Sequence, residues 1–289
     1  MKAIPQSFRT IRDEFGNLFL TDGNKVFPIE KPKRNFHDSR SEAQLIHRMQ
    51  FSNLVTMYQA LALFMKKDAW QSLPERTNAF HVLMKQNLGK TEVYLDRNEA
   101  EEKACVVAAY RVSEGSLLPI ETTIQGDRIV TSLRLADDFT VTDNLVLGDV
   151  ASELIHANRF LEHGDRLTII HLEQVMIKER ERMIPRVFMN RYEFVLDSSS
   201  RIPFRTLVPE AVFQVANGQV GTDNRLSTGG IAYIVSREVR DKRYVSSQSI
   251  ALTPDNEVYP AYSSEEKREQ ALQSYGVKKA PRLRPGKER

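Results

Sequence analysis

One cysteine, Cys105, stands among 289 residues, which excludes an intrachain disulfide framework. It lies in the apolar run Ala104 to Ala109. Apolar surroundings raise a thiol pKa, so it reads as a small core residue and not as a nucleophile. Tryptophan also occurs once, as Trp70. No uninterrupted apolar run is long enough to cross a bilayer, and Met1 to Gln6 lacks the apolar core of a signal peptide. The expectation is a cytoplasmic product, or one assembled in a host cytoplasm and released by lysis.

Strong charge of one sign is missing too. The formal net charge is +3, with 27% charged and 41% apolar residues, the balance of a soluble globular chain. A general nucleic-acid binder would carry a concentrated basic face. The basic residues cluster at Lys278, Lys279, Arg282, Arg284, Lys287 and Arg289, opposed only by Glu288 and interrupted by Pro281, Pro285 and Gly286. Such a segment should not fold by itself.

Catalytic patterns are sparse. Gly218 to Gly230 is the nearest glycine cluster, but it lacks the lysine and following helix of a phosphate loop, so it reads as a mobile hairpin loop. His37, His47, His81, His156, His163 and His171 form no i, i+4 pair and no usual zinc spacing. Asp137 and Asp138 are adjacent, which on a strand would point them to opposite faces, so they read as the start of a turn. Neither Ser113 to Ser116 nor Ser246 to Ser249 resembles a nucleophile elbow; the second reads as part of an edge strand. No metal and no cofactor is expected.

What is present is a polar arm, a helical pair and a β body. In residues 1–36, Gly16-Asn17 and Asp22-Gly23-Asn24 bracket Leu18 to Leu20, which is hairpin chemistry; Pro28 and Pro32 keep the chain extended afterwards. Ser39 or Ser41, each three residues before Glu42 or Gln44, can cap a helix over about 41–66, with Leu45, Met49, Leu54, Tyr58, Leu61 and Met65 near one face. A second helix is expected over about 75–88, closed by Gly89, and a helical turn over 97–103. Strands are expected at 104–112, 117–124, 128–135, 167–174, 187–196, 205–208, 211–216, 231–237 and 243–252, with short helices at 149–161 and 263–274. The charged stretch Ile177 to Arg182 before Pro185 marks a boundary between two β units.

The resulting fold class is α+β, mainly β: an N-terminal arm and helical pair followed by antiparallel Ig-like sandwich units. The segments are 1–38 (arm), 39–103 (helical), 104–182 and 183–262 (β units) and 263–289 (basic tail).

Several local patterns, in order, resemble an uncharacterised family of Bacteroidota proteins and their mobile elements. They are Arg40-Ser41-Glu42-Ala43-Gln44 with Arg48 and Phe51; Asn78-Ala79-Phe80 with Asn87; Ser113 with Gly115-Ser116-Leu117; Gly164-Asp165 with Leu167-Thr168; and Val245-Ser246-Ser247-Gln248. The chain departs from that family near its start, where members are richer in glycine. The resemblance implies a phage- or element-related component and supplies no mechanism.

These features point to a non-enzymatic structural subunit of a larger assembly, specifically a phage virion neck, ring or tail component. Its partners would be copies of itself and other structural proteins, with neither membrane nor nucleic acid involved. Arms of this kind order on contact, by adding strands or lying in grooves. The candidate partner-binding residues are Phe8, Phe15, Phe19, Lys33, Arg34, Trp70, Arg282 and Arg284; for Trp70, a core position is the competing reading. Two other functions compete. A carbohydrate- or surface-binding sandwich would display Tyr233, Tyr244, Tyr259 and Tyr262 in a row. A hydrolase or nuclease would assemble Asp137, His156, His163 and Asp165.

Overall fold

The computed structural model describes residues 8–12, 18–22, 25–28, 41–73 and 77–276. Of the candidate residues above, Phe15, Lys33, Arg34, Arg282 and Arg284 lie outside the described residues. The chain divides into two compact units, residues 1–39 and 40–289. The first contains an antiparallel meander of β1 (Phe8–Arg12), β2 (Leu18–Asp22) and β3 (Lys25–Pro28). Phe8 pairs with Asp22, and Phe19 sits between Ile11 and Pro28.

The second unit begins with α1 (Glu42–Lys67). Ser41 is its N-cap, accepting from the Gln44 amide at 3.4 Å. Glu42 at the first turn and Lys66 and Lys67 at the last complement the helix dipole. Leu45, Met49, Leu54, Met57, Leu61, Phe64 and Met65 are buried along one stripe, the 3.6-residue period of a core-facing helix. After it come α2 (Ala79–Asn87), capped by Asn78, and the single turn α3 (Arg97–Glu101), closed by an Asp96–Glu99 capping box.

The β body contains β4 (Arg111–Ser113), β5 (Thr122–Gln125) and β6 (Arg128–Arg134), then α4 (Leu147–Ala157). A long hairpin follows, β7 (Arg166–Glu179) and β8 (Arg182–Val195). Next are β9 (Gln214–Ala216), β10 (Gln219–Gly221), β11 (Gly229–Val239), β12 (Lys242–Val245), β13 (Gln248–Ser249) and β14 (Ala251–Leu252). Helices α5 (Val258–Ser263) and α6 (Glu265–Ser274) end the described chain. The large sheet has the order β12-β11-β7-β8 with β14 beside β11; a smaller sheet has the order β5-β6-β10-β9. All named strand pairings are antiparallel, so the α+β class holds.

The large sheet is buried on both faces, and strand alternation assigns its residues. Ile170, Leu172, Ala232 and Ile234 face α1, α2 and residues 104–112 in one core. Leu167, Ile169, Ile231, Tyr233 and Val235 face the small sheet and α4 in the other, together with Ile129, Leu133, Val150, Leu154 and Val220. The second unit is therefore layered: helices, large sheet, small sheet with helix.

Several expectations are corrected. The charged stretch 177–182 is the tip of the β7–β8 hairpin, paired continuously from Arg166↔Val195 to Glu179↔Arg182, within one compact unit. Residues 205–208 and 211–212 are not strands. Pro203 and Pro209 each precede a 3₁₀ turn, Phe204–Thr206 and Glu210–Val212, which folds Phe204 and Phe213 onto Phe194 at centroid distances of 5.2 and 6.1 Å. The cluster Gly218 to Gly230 is not one hairpin loop. Asn217-Gly218 is the β9–β10 turn, Gly229 and Gly230 begin β11, and between them Asp223 holds Arg225. β13 is an edge strand of a two-stranded sheet with β4, yet Ser246 and Gln248 are buried. Residues 265–274 are a helix docked on this chain, where Ala271 and Leu272 pack with Leu45, Met49 and Tyr94; the basic remainder from 277 lies outside the described residues. Among the described residues no helix is long and apolar enough to cross a membrane.

Candidate interaction surface

The buried polar groups are largely committed to backbone. Residues 104–110 are buried almost throughout yet join no sheet, because side-chain amides stand in for a neighbouring strand. Asn53 of α1 accepts from the Val106 amide at 2.7 Å and donates to the Val106 carbonyl at 3.0 Å and to the Tyr110 hydroxyl at 2.8 Å. Gln174 of β7 accepts from the Val107 amide at 2.8 Å and donates to the Cys105 carbonyl at 3.1 Å. Asn87 accepts from the Arg111 amide at 2.7 Å and donates to its carbonyl at 2.9 Å. Each amide offers the donor–acceptor pair that a peptide unit would offer, so these backbone groups of an irregular segment are paired where they are buried.

The sequence patterns land on the same kind of work. Ser113 Oγ donates to the Ser246 carbonyl at 2.7 Å and accepts from the Gln248 amide at 3.1 Å. Ser247 Oγ donates to the Gly115 carbonyl at 3.0 Å and accepts from its amide at 3.1 Å. Gly115 is required there: a Cβ would lie 2.1 Å from the Val245 carbonyl oxygen. The patterns around Ser113 and Ser246 are thus two halves of one junction.

The four residues weighed for hydrolysis have separate settings. Asp165 is buried with both oxygens taken: Oδ1 accepts from Arg237 Nε at 2.6 Å, and Oδ2 accepts from Arg237 Nη2 and the Glu162 amide at 2.8 Å each. His163 is exposed, 3.4 Å from Asp197. His156 and Asp137 are exposed on α4 and in the turn before Phe139. Among the described residues no group of three metal-capable side chains occurs. His171 is buried, its Nε2 3.0 Å from the Ser227 carbonyl. Burial lowers its pKa below 6.5, so the neutral ring carries its proton on Nε2. Burial raises the Cys105 thiol and keeps it protonated.

The proposed tyrosine row does not exist as a surface. Tyr233 is wholly buried and donates to the Val212 carbonyl at 2.7 Å; Tyr262 is buried and donates to Glu99 at 2.7 Å. Tyr244 and Tyr259 are half-buried.

Trp70 packs in the helix-side core with 8% of its surface exposed. It also borders an open polar pocket of about 820 Å³, shared with Lys67, Ser72, Lys242, Arg243 and Tyr244. Arg243 is already bound there, to Asp68 at 2.7 Å and Glu238 at 2.7 Å.

The outer edge of β8 is different. Arg180 and Glu181 close the hairpin, so even-numbered residues of β8 exchange hydrogen bonds with β7 and odd-numbered ones point their backbone groups outward. The Pro185 carbonyl accepts from the Cys105 amide at 2.8 Å. The outward groups of Val187, Met189, Arg191 and Glu193 meet no partner among the described residues. Apolar side chains stand exposed on the same hairpin: Phe188 at 53%, Met183 at 54% and Met176 at 39%. Arg191 is fixed beside this edge by Asp68 at 2.8 Å, over the Phe64 ring. Sequence reasoning missed this surface, because an edge is a property of strand order, and nothing local in 182–195 encodes it.

Comparison with family models, with curated proteins and with solved structures gave no match.

Proposed function

We propose that this chain is a non-enzymatic structural subunit of a larger assembly. The observation that carries the reading is the β7–β8 hairpin, whose outer strand presents, beside Phe188, backbone groups with no partner among the described residues. An open edge is a template for another strand, and exposed apolar side chains beside it favour a protein partner over solvent. The separate three-stranded unit ahead of α1 and the basic segment 277–289 supply two further contact elements. The buried Asp165, Glu99, Asn53, Asn87 and Gln174 support the reading from the other side, since each is engaged in holding backbone or an ion pair. A phage neck, ring or tail is the assembly that the sequence patterns favour.

The test compares the intact chain with variants lacking residues 1–36 or 277–289, by size-exclusion chromatography with light scattering. An intact chain heavier than one copy, with mass lost in either variant, supports the reading. A rigid monomer with protease-resistant ends would count against it.

A further inference from the structure

We propose that β8 pairs edge to edge with β8 of a second copy, antiparallel about a two-fold axis at Asn190. This rests on the assembly reading and names the contact. The open stretch is short and self-matching. Its outward residues are Val187, Met189, Arg191 and Glu193, and they are symmetric about position 190. With the axis there, Val187 lies opposite Glu193 of the second copy and Met189 opposite Arg191. The open donors and acceptors of Val187, Met189, Arg191 and Glu193 in both copies are then paired, while the outward groups of Met183 and the Val195 amide fall outside the paired stretch. No like charges stand directly opposite.

The two faces of the joined strands contribute differently. On one face Val187 and Met189 already pack on the helix-side core and Arg191 is held by Asp68, so the contact there is backbone. On the other face, Phe188 lies opposite Tyr192 of the second copy, twice. Phe188 is largely exposed and Tyr192 half-buried, so both gain burial as a cross-strand aromatic pair. The hairpin tip limits the register: proline has no amide hydrogen, and the outward Pro185 carbonyl is already taken by Cys105. An isologous contact of this kind closes a dimer and does not propagate.

Asn190 faces itself across the axis in a non-hydrogen-bonded pair, where Cα atoms lie about 4.5 Å apart, within disulfide range. The full chain carrying Asn190→Cys should therefore form a covalent dimer under mild oxidation, while Gln125→Cys on exposed β5 should not. Cys105 is buried and does not compete. In sedimentation velocity, Phe188→Asp should weaken the dimer roughly a hundredfold, because the lost burial, about tenfold each, occurs twice. Cross-linking at 190 no faster than at 125, in a chain that still self-associates, overturns this contact and leaves the assembly reading standing. A monomer at every concentration overturns both.

Discussion

Asn53 shows how a single side chain sets the course of a whole segment. It sits on the buried stripe of α1, where periodicity alone would put an aliphatic residue, and its amide closes the backbone of Val106. Replacing it with alanine leaves the Val106 amide and carbonyl without partners and takes one of two side-chain partners from the Tyr110 hydroxyl. We expect Asn53→Ala to cost about 2–4 kcal/mol in urea unfolding, more than the cavity alone would require. An unchanged midpoint would show that the clamp contributes nothing. His171 makes a second case, in which pH is the variable. Its folded pKa lies below the ordinary 6.5 because burial disfavours the charged ring. Between the two values the unfolded chain binds the extra proton, so stability falls as pH drops below about 6.5 and is fully present above it. His171→Gln should flatten that part of the stability–pH curve; an unchanged slope would remove His171 as its source. At this scale the sequence was legible for caps and turns. Ser41 and Gly89 did what their chemistry suggests, whereas the cap at Asn78 lies inside the span expected for the second helix. It was not legible for the amide clamps, since Asn53 and Val106 are far apart in the chain and only packing brings them together.

At the level of elements, long periodic segments were readable and short irregular ones were not. Helix α1 spans 42–67 against an expectation of 41–66, because its stripe repeats over many turns. Residues 104–112 carry a strand's composition, yet only 111–113 pair as one, because the neighbouring surface is α1 and its amides. The β11–β12 turn gave no local signal: Arg240 and Asp241 both take positive φ, 50° and 61°, without the asparagine or glycine that usually marks such a turn. The pairing of β11 with β12 imposes it. The C-terminal helices depend on one buried carboxylate. Glu99 Oε1 accepts from Tyr262 at 2.7 Å and from Lys267 at 2.6 Å, while Oε2 accepts from the Asp96 amide at 2.7 Å. Glu99→Ala should release α5 and α6 locally. Amide exchange in 265–274 should rise about tenfold or more, the equivalent of roughly 1.4 kcal/mol, with β7 and β8 unaffected. Uniform acceleration across the chain would mean that Glu99 supports the whole fold instead.

Across the whole molecule, the large sheet is the shared wall of two cores, with helices on one side and the small sheet on the other. That arrangement explains why a boundary near residue 180 is absent: the hairpin that crosses it contributes to both cores. The α+β class was readable from the run of helices followed by strands. Strand order was not, and with it the open edge of β8 stayed hidden, because non-local pairing leaves no period in the chain. On the proposed reading, the buried polar residues are mortar and the outer strand of the hairpin is the working surface. The most direct test of that reading is the mass of the intact chain in solution, followed by sedimentation velocity as concentration rises. A shift from one copy to two or more, moved to roughly hundredfold higher concentration by Phe188→Asp without loss of helix or sheet signal, is the predicted result. A single sedimenting species of one-chain mass at all concentrations would contradict it.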